Sequence, residues 1–140
     1  MQGRLWFAGL CFVLATGAVQ ALELGKQVSD YQASPELRWL EAAPGALSPE
    51  NALAALRSGK GQRLGSRYPS MGFRKQDQWF LLNLDNQSDT GLWYLHAGRP
   101  HLDYLDMYVY DQAGTLLDHQ RSGDRVPFAA RPFPHHQLIY

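Results

Sequence analysis

Residues 102–118 read LDYLDMYVYDQAGTLLD, and this stretch decides the predicted fold. Leu105, Met107 and Val109 alternate with polar and aromatic residues, so they share one face of an extended strand. An Asp-Gln-Ala-Gly turn follows, and the chain can return as a second strand over residues 115–120. The stretch therefore predicts an antiparallel hairpin whose aliphatic face lies towards a core.

Similar short segments lie upstream of this hairpin. Residues 78–86 and 92–97 each have the two-residue period of a strand, and the turn residues NQSDTG separate them. Residues 36–42, ELRWLEA, fit either a short strand or a helical turn. Strands at intervals of about ten residues with turns between them predict an antiparallel β-sandwich.

One short helix interrupts this pattern. Ser48 is a favourable N-cap, Pro49 suits the first helical position, and Gly59 is a stop signal. These residues predict a helix over residues 49–57. Leu53 and Leu56 are three positions apart, so the helix can pack one edge on a sheet.

The two ends of the chain have a different character. Residues 1–21 combine a basic start, an apolar run and a small residue at Ala21, which predicts a secretory signal peptide cleaved after that alanine. Residues 22–35 are polar and aperiodic and suit a lead-in segment, so the predicted domain spans residues 36–140. A new strand begins near His135 with no partner after it, and we therefore expect the chain to be a fragment of a longer protein.

Composition excludes several classes of function. The sequence has 13 basic and 13 acidic residues, a balance that offers no basic surface for nucleic acid. The single cysteine, Cys11, lies in the predicted signal peptide, so the mature protein has no disulfide. We expect neither a cofactor nor a nucleic-acid partner.

No catalytic or metal-binding pattern is present in the sequence. His135 and His136 are adjacent, so in an extended chain they point to opposite faces and cannot chelate one ion. Asp103 and Asp106 have opposite parity, and no serine lies in a nucleophile turn. We therefore expect no metal site and no enzyme activity in this segment.

The tyrosines of the hairpin offer a candidate ligand surface. Tyr104, Asp106, Tyr108 and Tyr110 share the face opposite to the aliphatic residues. Aromatic rings beside a carboxylate suit a sugar or another amphipathic ligand, because the rings stack on its apolar face and the polar group orders its hydroxyls. Tyrosine is also simply a good strand residue, and that interpretation remains open.

Three motifs occur in an order that resembles a known family. They are WFLLNLDN at residues 79–86, WYLHAGRPHLDYLDMY at 93–108 and GDRVPFAARPFPHH at 123–136. In this order and spacing they resemble the periplasmic domain of bacterial seven-transmembrane receptors with diverse intracellular signalling modules (7TMR-DISM, extracellular domain type 2). The segment LRWLEAAPGALSPENALAAL at 37–56 is similar to the opening of that domain.

The resemblance implies a fold and a function. The fold would be mainly β, a jelly-roll-like antiparallel β-sandwich with one short N-terminal helix, truncated at its C terminus. The function would be ligand sensing in the periplasm for a membrane-bound receptor, whose output is a diguanylate cyclase or a histidine kinase. The ligand would be a small molecule such as a carbohydrate, and the membrane attachment would lie in a missing C-terminal region.

Five residues are predicted to contact the ligand. These are Tyr104, Asp106 and Tyr108 on the hairpin, with Arg131 and His135 from the loop after it. Arg131 can fork to a carboxylate or to vicinal hydroxyls, or it can hold its own loop through an ion pair. Two other functions remain open: a free secreted carbohydrate-binding module, and a structural periplasmic domain that pairs with a partner protein or with a second copy.

Overall fold

The computed structural model describes residues 20–27, 29–65, 72–98, 101–133, 135 and 139–140. Residues 1–19 of the predicted signal peptide lie outside these ranges, so that prediction is untested. The described part contains one α-helix and seven strands: β1 Leu22–Leu24, β2 Arg38–Ala42, α1 Pro49–Arg57, β3 Gln62–Arg63, β4 Asp77–Leu81, β5 Leu84–Asn86, β6 Leu105–Tyr110 and β7 Leu116–Ser122. Short 3-10 turns cover Ser34–Glu36 and Phe128–Ala130.

The described strands form three small sheets. β2 lies between β3 and β4 in an antiparallel sheet, β6 and β7 form an antiparallel hairpin, and β1 runs parallel to β5. The predicted mainly-β class, with one short helix and antiparallel sheets, is confirmed. Closure of these sheets into a jelly roll remains a prediction.

The three-stranded sheet shows that residues 38–42 form a strand and not a helical turn. In β2, Trp39 pairs with Phe80 and Leu40 pairs with Trp79 of β4. The Trp39 indole Nε1 donates a hydrogen bond of 2.7 Å to the Gln78 side-chain oxygen. This bond satisfies the polar atom of a half-buried indole, which would otherwise lose its hydrogen bond to water.

Helix α1 begins and ends where the sequence predicted. The Ser48 hydroxyl accepts a hydrogen bond of 3.3 Å from the Asn51 amide, and Pro49 is the first helical residue. After Ser58 the chain turns at Gly59, which has a φ of 87°. The helix buries Ala52 and Leu56, which are 1% and 2% exposed, against the rest of the domain.

The N-terminal segment holds a strand that its composition did not predict. β1 is paired with β5, because the Leu22 amide donates to the Asn83 carbonyl at 2.8 Å and the Gln87 amide donates to the Leu24 carbonyl at 3.0 Å. Leu24 is 4% exposed and belongs to the core. A three-residue strand is too short to show a periodic pattern in the sequence.

Residues 78–86, predicted as one strand, form two. β4 ends at Leu81, and after Leu82 and Asn83 the chain continues as β5, which pairs with β1 instead of β2. In β4, Phe80 is 42% exposed whereas Trp79 is half-buried. Because apolar residues alternate without interruption through residues 78–86, this change of partner strand could not be predicted from the pattern.

The prediction of a strand over residues 92–97 is wrong for the described structure. A single bridge joins His96 to Ile139, with reciprocal backbone hydrogen bonds of 2.9 and 3.1 Å between Leu95 and Tyr140. Tyr94 is 60% exposed and Leu92 is 65% exposed. Only Trp93 of this segment is half-buried, next to the Tyr31 ring at 5.6 Å, so the apolar alternation did not indicate a strand packed on a core.

The N-cap provides a direct test of the helix. We expect Ser48→Ala to lower the free energy of unfolding by about 1 kcal/mol, because the Asn51 amide loses its acceptor. Urea denaturation of the full chain measures this change. Ser29→Ala, at an exposed position outside the helix, is the control and should leave the midpoint unchanged. Equal midpoints for both variants would contradict the capping role.

Candidate functional site

The hairpin of β6 and β7 carries the candidate site on one face. Asp106 lies opposite Arg121, and Tyr108 lies opposite His119. Directly opposed residues in an antiparallel pair project from the same side of the sheet. We call the surface formed by Tyr104, Asp106, Tyr108, His119 and Arg121 the hairpin face.

The Asp106 carboxylate is the centre of the hairpin face. Arg121 donates two hydrogen bonds to it, from Nε to Oδ1 at 2.8 Å and from Nη2 to Oδ2 at 3.0 Å. The Nε2 atom of His119 lies 2.8 Å from Oδ1. A bidentate guanidinium contact of this kind fixes both orientation and distance. Asp106 therefore positions two cross-strand neighbours.

Opposing effects act on the pKa of Asp106. Burial raises this pKa, but the hydrogen bonds and charges of Arg121 and His119 together outweigh burial, so the pKa lies below its ordinary value of 3.8. The Asp106 side chain is 20% exposed, while the Arg121 and His119 side chains are 56% and 40% exposed. The carboxylate lies beneath its partners, and the partners reach solvent.

Tyr108 is a covered ring. It stacks on the His119 ring with a centroid distance of 4.3 Å and an interplanar angle of 1°, and the Trp79 ring lies 6.5 Å away. Burial, followed by the Asp106 charge, raises the pKa of its hydroxyl. Tyr108 therefore joins the hairpin to the three-stranded sheet and offers less free ring surface than its place in the sequence suggested.

Tyr104 is the exposed ring. It is 55% exposed, and the Arg121 guanidinium lies over it at 5.5 Å from the ring centroid. This cation–π contact places a hydrogen-bonding group at the border of an accessible aromatic surface. Ring and guanidinium form the outermost part of the hairpin face.

The expected division between an inner aliphatic face and an outer tyrosine face is only partly correct. Val109 is 38% exposed, although it was expected in the core. Tyr110 is half-buried, and burial, followed by the Glu50 carboxylate of α1, raises the pKa of its hydroxyl. The tyrosine side lies against Trp79 and α1, so both faces of the hairpin are partly covered.

The aliphatic side has its own contact with the C-terminal segment. The Tyr140 hydroxyl donates a hydrogen bond of 2.6 Å to the Leu105 carbonyl, and Tyr140 is 8% exposed. Burial raises the pKa of Tyr140 to about 12. Tyr140 therefore stabilises the first residue of β6 from the side opposite to the hairpin face.

Gly123 explains part of the third sequence motif. Its φ is 127°, and a Cβ on this residue would lie 2.3 Å from the Asp103 carbonyl oxygen and 2.7 Å from the Tyr104 Cα. The following amides continue the pairing, since Asp124 donates to the Leu102 carbonyl at 2.8 Å and Arg125 to the Asp103 carbonyl at 3.1 Å. Only glycine permits this close approach, which holds Tyr104 next to Arg121.

The other two predicted contacts lie in separate groups of residues. The Arg131 Nε atom donates to the Val126 carbonyl at 3.4 Å, and its guanidinium lies over the Phe128 ring at 5.6 Å. Arg131 thus holds its own loop, although through a carbonyl and a ring and not through the ion pair that was considered. His135 lies next to Phe133, with ring centroids 6.4 Å apart.

Sequence reasoning missed His119 and Arg121 because residue alternation gives no cross-strand register, and the predicted second strand ends at residue 120, before Arg121. The register shifts at Val109 and Tyr110, so Tyr110 pairs with Leu116 but Val109 pairs with Asp118. If the Tyr110–Leu116 pairing continued along the hairpin without this extra residue, Asp106 would lie opposite Gln120 instead of Arg121. A bulge next to the turn is the signal that would have identified both side chains.

Neither a metal cluster nor a membrane-spanning helix occurs among the described residues. No group of three His, Cys, Asp or Glu side chains in this part of the chain could hold a metal ion. No helix among the same residues has the length and apolar character required to cross a bilayer.

Substitution of Gly123 tests the close approach. We expect Gly123→Ala to lower the free energy of unfolding by at least about 2 kcal/mol more than Gly59→Ala. Both glycines have positive φ, but a Cβ at Gly59 meets no atom within 4 Å. A larger loss at Gly123 therefore reflects the steric overlap at Asp103 and Tyr104 together with the φ of 127° at this residue. Similar losses in thermal denaturation would contradict this interpretation.

Removal of the Asp106 charge tests the central carboxylate. We expect Asp106→Asn to cost about 1–2 kcal/mol at neutral pH. Because the folded-state pKa is lowered, the carboxylate stabilises the protein above its ordinary pKa, and this contribution is lost as the pH falls through the lowered value. The difference from wild type should therefore shrink below about pH 4.

The matched control for this charge is Asp103→Asn. Asp103 pairs with Arg125, but both side chains are well exposed, at 67% and 65%. We expect a loss of no more than about 0.5 kcal/mol. Thermal denaturation across the acid range measures both variants. An Asp106→Asn difference that is independent of pH, or no larger than that of Asp103→Asn, would contradict the proposed role of the carboxylate.

Comparison with known proteins identifies the family. The sequence matches the family described as 7TMR-DISM extracellular 2 over residues 34–140, which is most of the chain. No curated protein and no solved structure gave a match. This match confirms the predicted resemblance. Domains of this family are sensors and not catalysts, so the predicted absence of enzyme activity is also confirmed. The family implies a periplasmic location in a membrane receptor. The chain therefore belongs to the 7TMR-DISM extracellular 2 family of receptor sensor domains.

Proposed function

We propose that this domain senses a neutral carbohydrate at the hairpin face for a membrane-bound bacterial receptor. The observation that carries the proposal is the exposed Tyr104 ring, which lies directly beside the Arg121 guanidinium that Asp106 holds in place. Sugars require this combination, because their C–H faces stack on aromatic rings and their hydroxyls need fixed hydrogen-bond partners.

The charges of the hairpin face favour a neutral ligand. Asp106 and Arg121 compensate each other's charge in a bidentate ion pair. An ionic ligand would have to compete with this pair. A polyhydroxylated ligand can use the exposed edges of Arg121 and His119 without separating them.

The predicted contact residues receive different roles in this proposal. Tyr104 and Arg121 contact the ligand, and Asp106 positions Arg121 and His119 beneath it. Tyr108 supports His119 by stacking. Arg131 and His135 remain proposed contacts, but their own contacts with Val126, Phe128 and Phe133 do not join them to the hairpin face.

Two contacts provide a route from the hairpin face to the rest of the domain. Tyr108 lies next to Trp79 of β4, and Arg57 of α1 donates to the carbonyls of Asp111 and Gln112 in the hairpin turn, at 3.0 and 3.4 Å. A ligand that binds one arrangement of the hairpin better would shift the population towards it. We propose that this shift reaches the output, a diguanylate cyclase or a histidine kinase, through the receptor's membrane helices.

A protein partner is a second candidate. Val109, Leu116 and Leu117 near the hairpin turn are 38%, 46% and 64% exposed, and clustered exposed aliphatic residues are typical of interfaces. A second copy of the domain would be the simplest partner. Analytical ultracentrifugation of the wild type and Leu117→Ala distinguishes this function, since only an interface would give a dimer that the substitution weakens.

The binding proposal can be tested on the full chain. NMR titration with a panel of neutral disaccharides, including maltose and cellobiose, and with glucuronate as an anionic comparison should show a neutral sugar that shifts hairpin resonances. We expect Tyr104→Ala to weaken that binding by roughly tenfold, because a stacking surface is lost.

The control for Tyr104 is an equally exposed tyrosine elsewhere. Tyr94 is 60% exposed and packs against Phe133 at 5.8 Å, in the group that includes His135. Tyr94→Ala should leave the affinity unchanged. A loss with Tyr94→Ala and none with Tyr104→Ala would move the site away from the hairpin face, and preferential binding of glucuronate would contradict the neutral ligand.

A further inference from the structure

Phe73 is the most exposed of the large apolar side chains in the described part of the chain. Its accessible area is 111% of the reference value, whereas the next most exposed, Leu92, reaches 65%. Gly72 precedes it with a φ of 66°, and a Cβ on this glycine would meet no atom within 4 Å. A ring this exposed does not pack within the described part of the domain, so it can contact a hydrophobic surface outside the protein.

Small apolar residues lie at the same end of the three-stranded sheet as Phe73. Ala42 at the end of β2 pairs with Asp77 at the start of β4, so the segments beyond them meet at one end. The Gly45 amide donates to the Asp77 carboxylate at 2.8 Å and holds the first of these segments there. We call this end the sheet tip and define it by five exposed residues, Ala43, Pro44, Ala46, Phe73 and Lys75.

The base of the sheet tip is fixed to the sheet. The Arg74 Nη1 atom forms an ion pair of 2.8 Å with Glu41, and its guanidinium lies over the Trp39 ring at 5.7 Å. Phe73 therefore projects from an anchored neighbour. The neighbouring Arg74 side chain is thus already ordered before the ring meets another surface.

We propose that the sheet tip docks on the outer surface of a lipid bilayer, with the Phe73 ring inserted among the headgroups and Lys75 near the lipid phosphates. The area at the tip favours this occupant over a protein. One phenylalanine contributes roughly 150–250 Å², well below the ~800 Å² per partner of a standard protein interface. A ring beside a lysine makes a weak, reversible interfacial contact, in which the ring enters the headgroup region and the lysine stays near the phosphates.

The family adds a reason for this choice. Sensor domains of this family belong to membrane receptors, so a bilayer lies close to the domain in the assembled protein. The docking proposal does not depend on ligand binding at the hairpin face. Either proposal can fail without the other, because the sheet tip and the hairpin face share no residue.

Lipid contact can be measured at the sheet tip in the mature chain from Leu22, which contains no cysteine. A nitrobenzoxadiazole label is attached at Gln76→Cys, beside the tip, or at Leu117→Cys, an exposed position on the hairpin. Vesicles of phosphatidylethanolamine and phosphatidylglycerol carry doxyl-labelled lipid as the quencher. We expect about twofold stronger quenching at position 76 than at position 117.

Two variants separate insertion from simple proximity. Phe73→Ser should reduce the quenching at position 76 to the level at position 117, because the inserted ring is gone. Lys75→Glu should weaken binding to phosphatidylglycerol vesicles by roughly fivefold or more, with no effect on pure phosphatidylcholine vesicles. Both residues are exposed, and circular dichroism confirms that the variants remain folded.

Three results would overturn the proposal. Quenching at position 76 that is no stronger than at position 117, or that is unchanged by Phe73→Ser, would show that the tip does not enter the lipid. A dimer in lipid-free ultracentrifugation that Phe73→Ser converts to a monomer would show instead that the tip is a protein interface.

Discussion

The carboxylate of Asp106 is the constraint on which the hairpin face depends. It accepts a bidentate pair of hydrogen bonds from Arg121 and a third contact from His119, so two side chains of β7 are held by one side chain of β6. Arg121 in turn covers the Tyr104 ring, and His119 covers Tyr108. Without this carboxylate, Arg121 and His119 would lose the hydrogen bonds that hold them against the Tyr104 and Tyr108 rings.

Two backbone features place this carboxylate correctly. The bulge next to the turn brings Arg121 and His119, instead of Gln120 and Asp118, opposite Asp106 and Tyr108. Gly123 then lets the chain after β7 pass within contact distance of the residues that precede β6. The hairpin face is therefore preorganised, and preorganisation lowers the cost of binding for any ligand that it takes.

The sequence predicted those features that depend on local chemistry. Ser48, Pro49 and Gly59 gave the helix its limits, and the Asp-Gln-Ala-Gly turn gave the hairpin its position. Features that depend on tertiary pairing were missed. β1 pairs with a strand 62 residues away, as the Leu22–Leu84 register shows. The exposed segment around Tyr94 has the apolar alternation of a strand but does not form one. Of the candidate site, the sequence proposed Tyr104, Asp106 and Tyr108, but their partners His119 and Arg121 depend on a cross-strand register that residue alternation does not give.

A double-mutant cycle between Asp106 and Arg121 measures how strongly these two side chains hold each other on the hairpin face. Asp106→Asn, Arg121→Gln and the double variant are compared with wild type by chemical denaturation at neutral pH. We expect a favourable coupling energy that exceeds the error of the measurement, because each substitution removes the same bidentate contact. Additive losses, with no coupling between the two positions, would show that the carboxylate does not hold the hairpin face together.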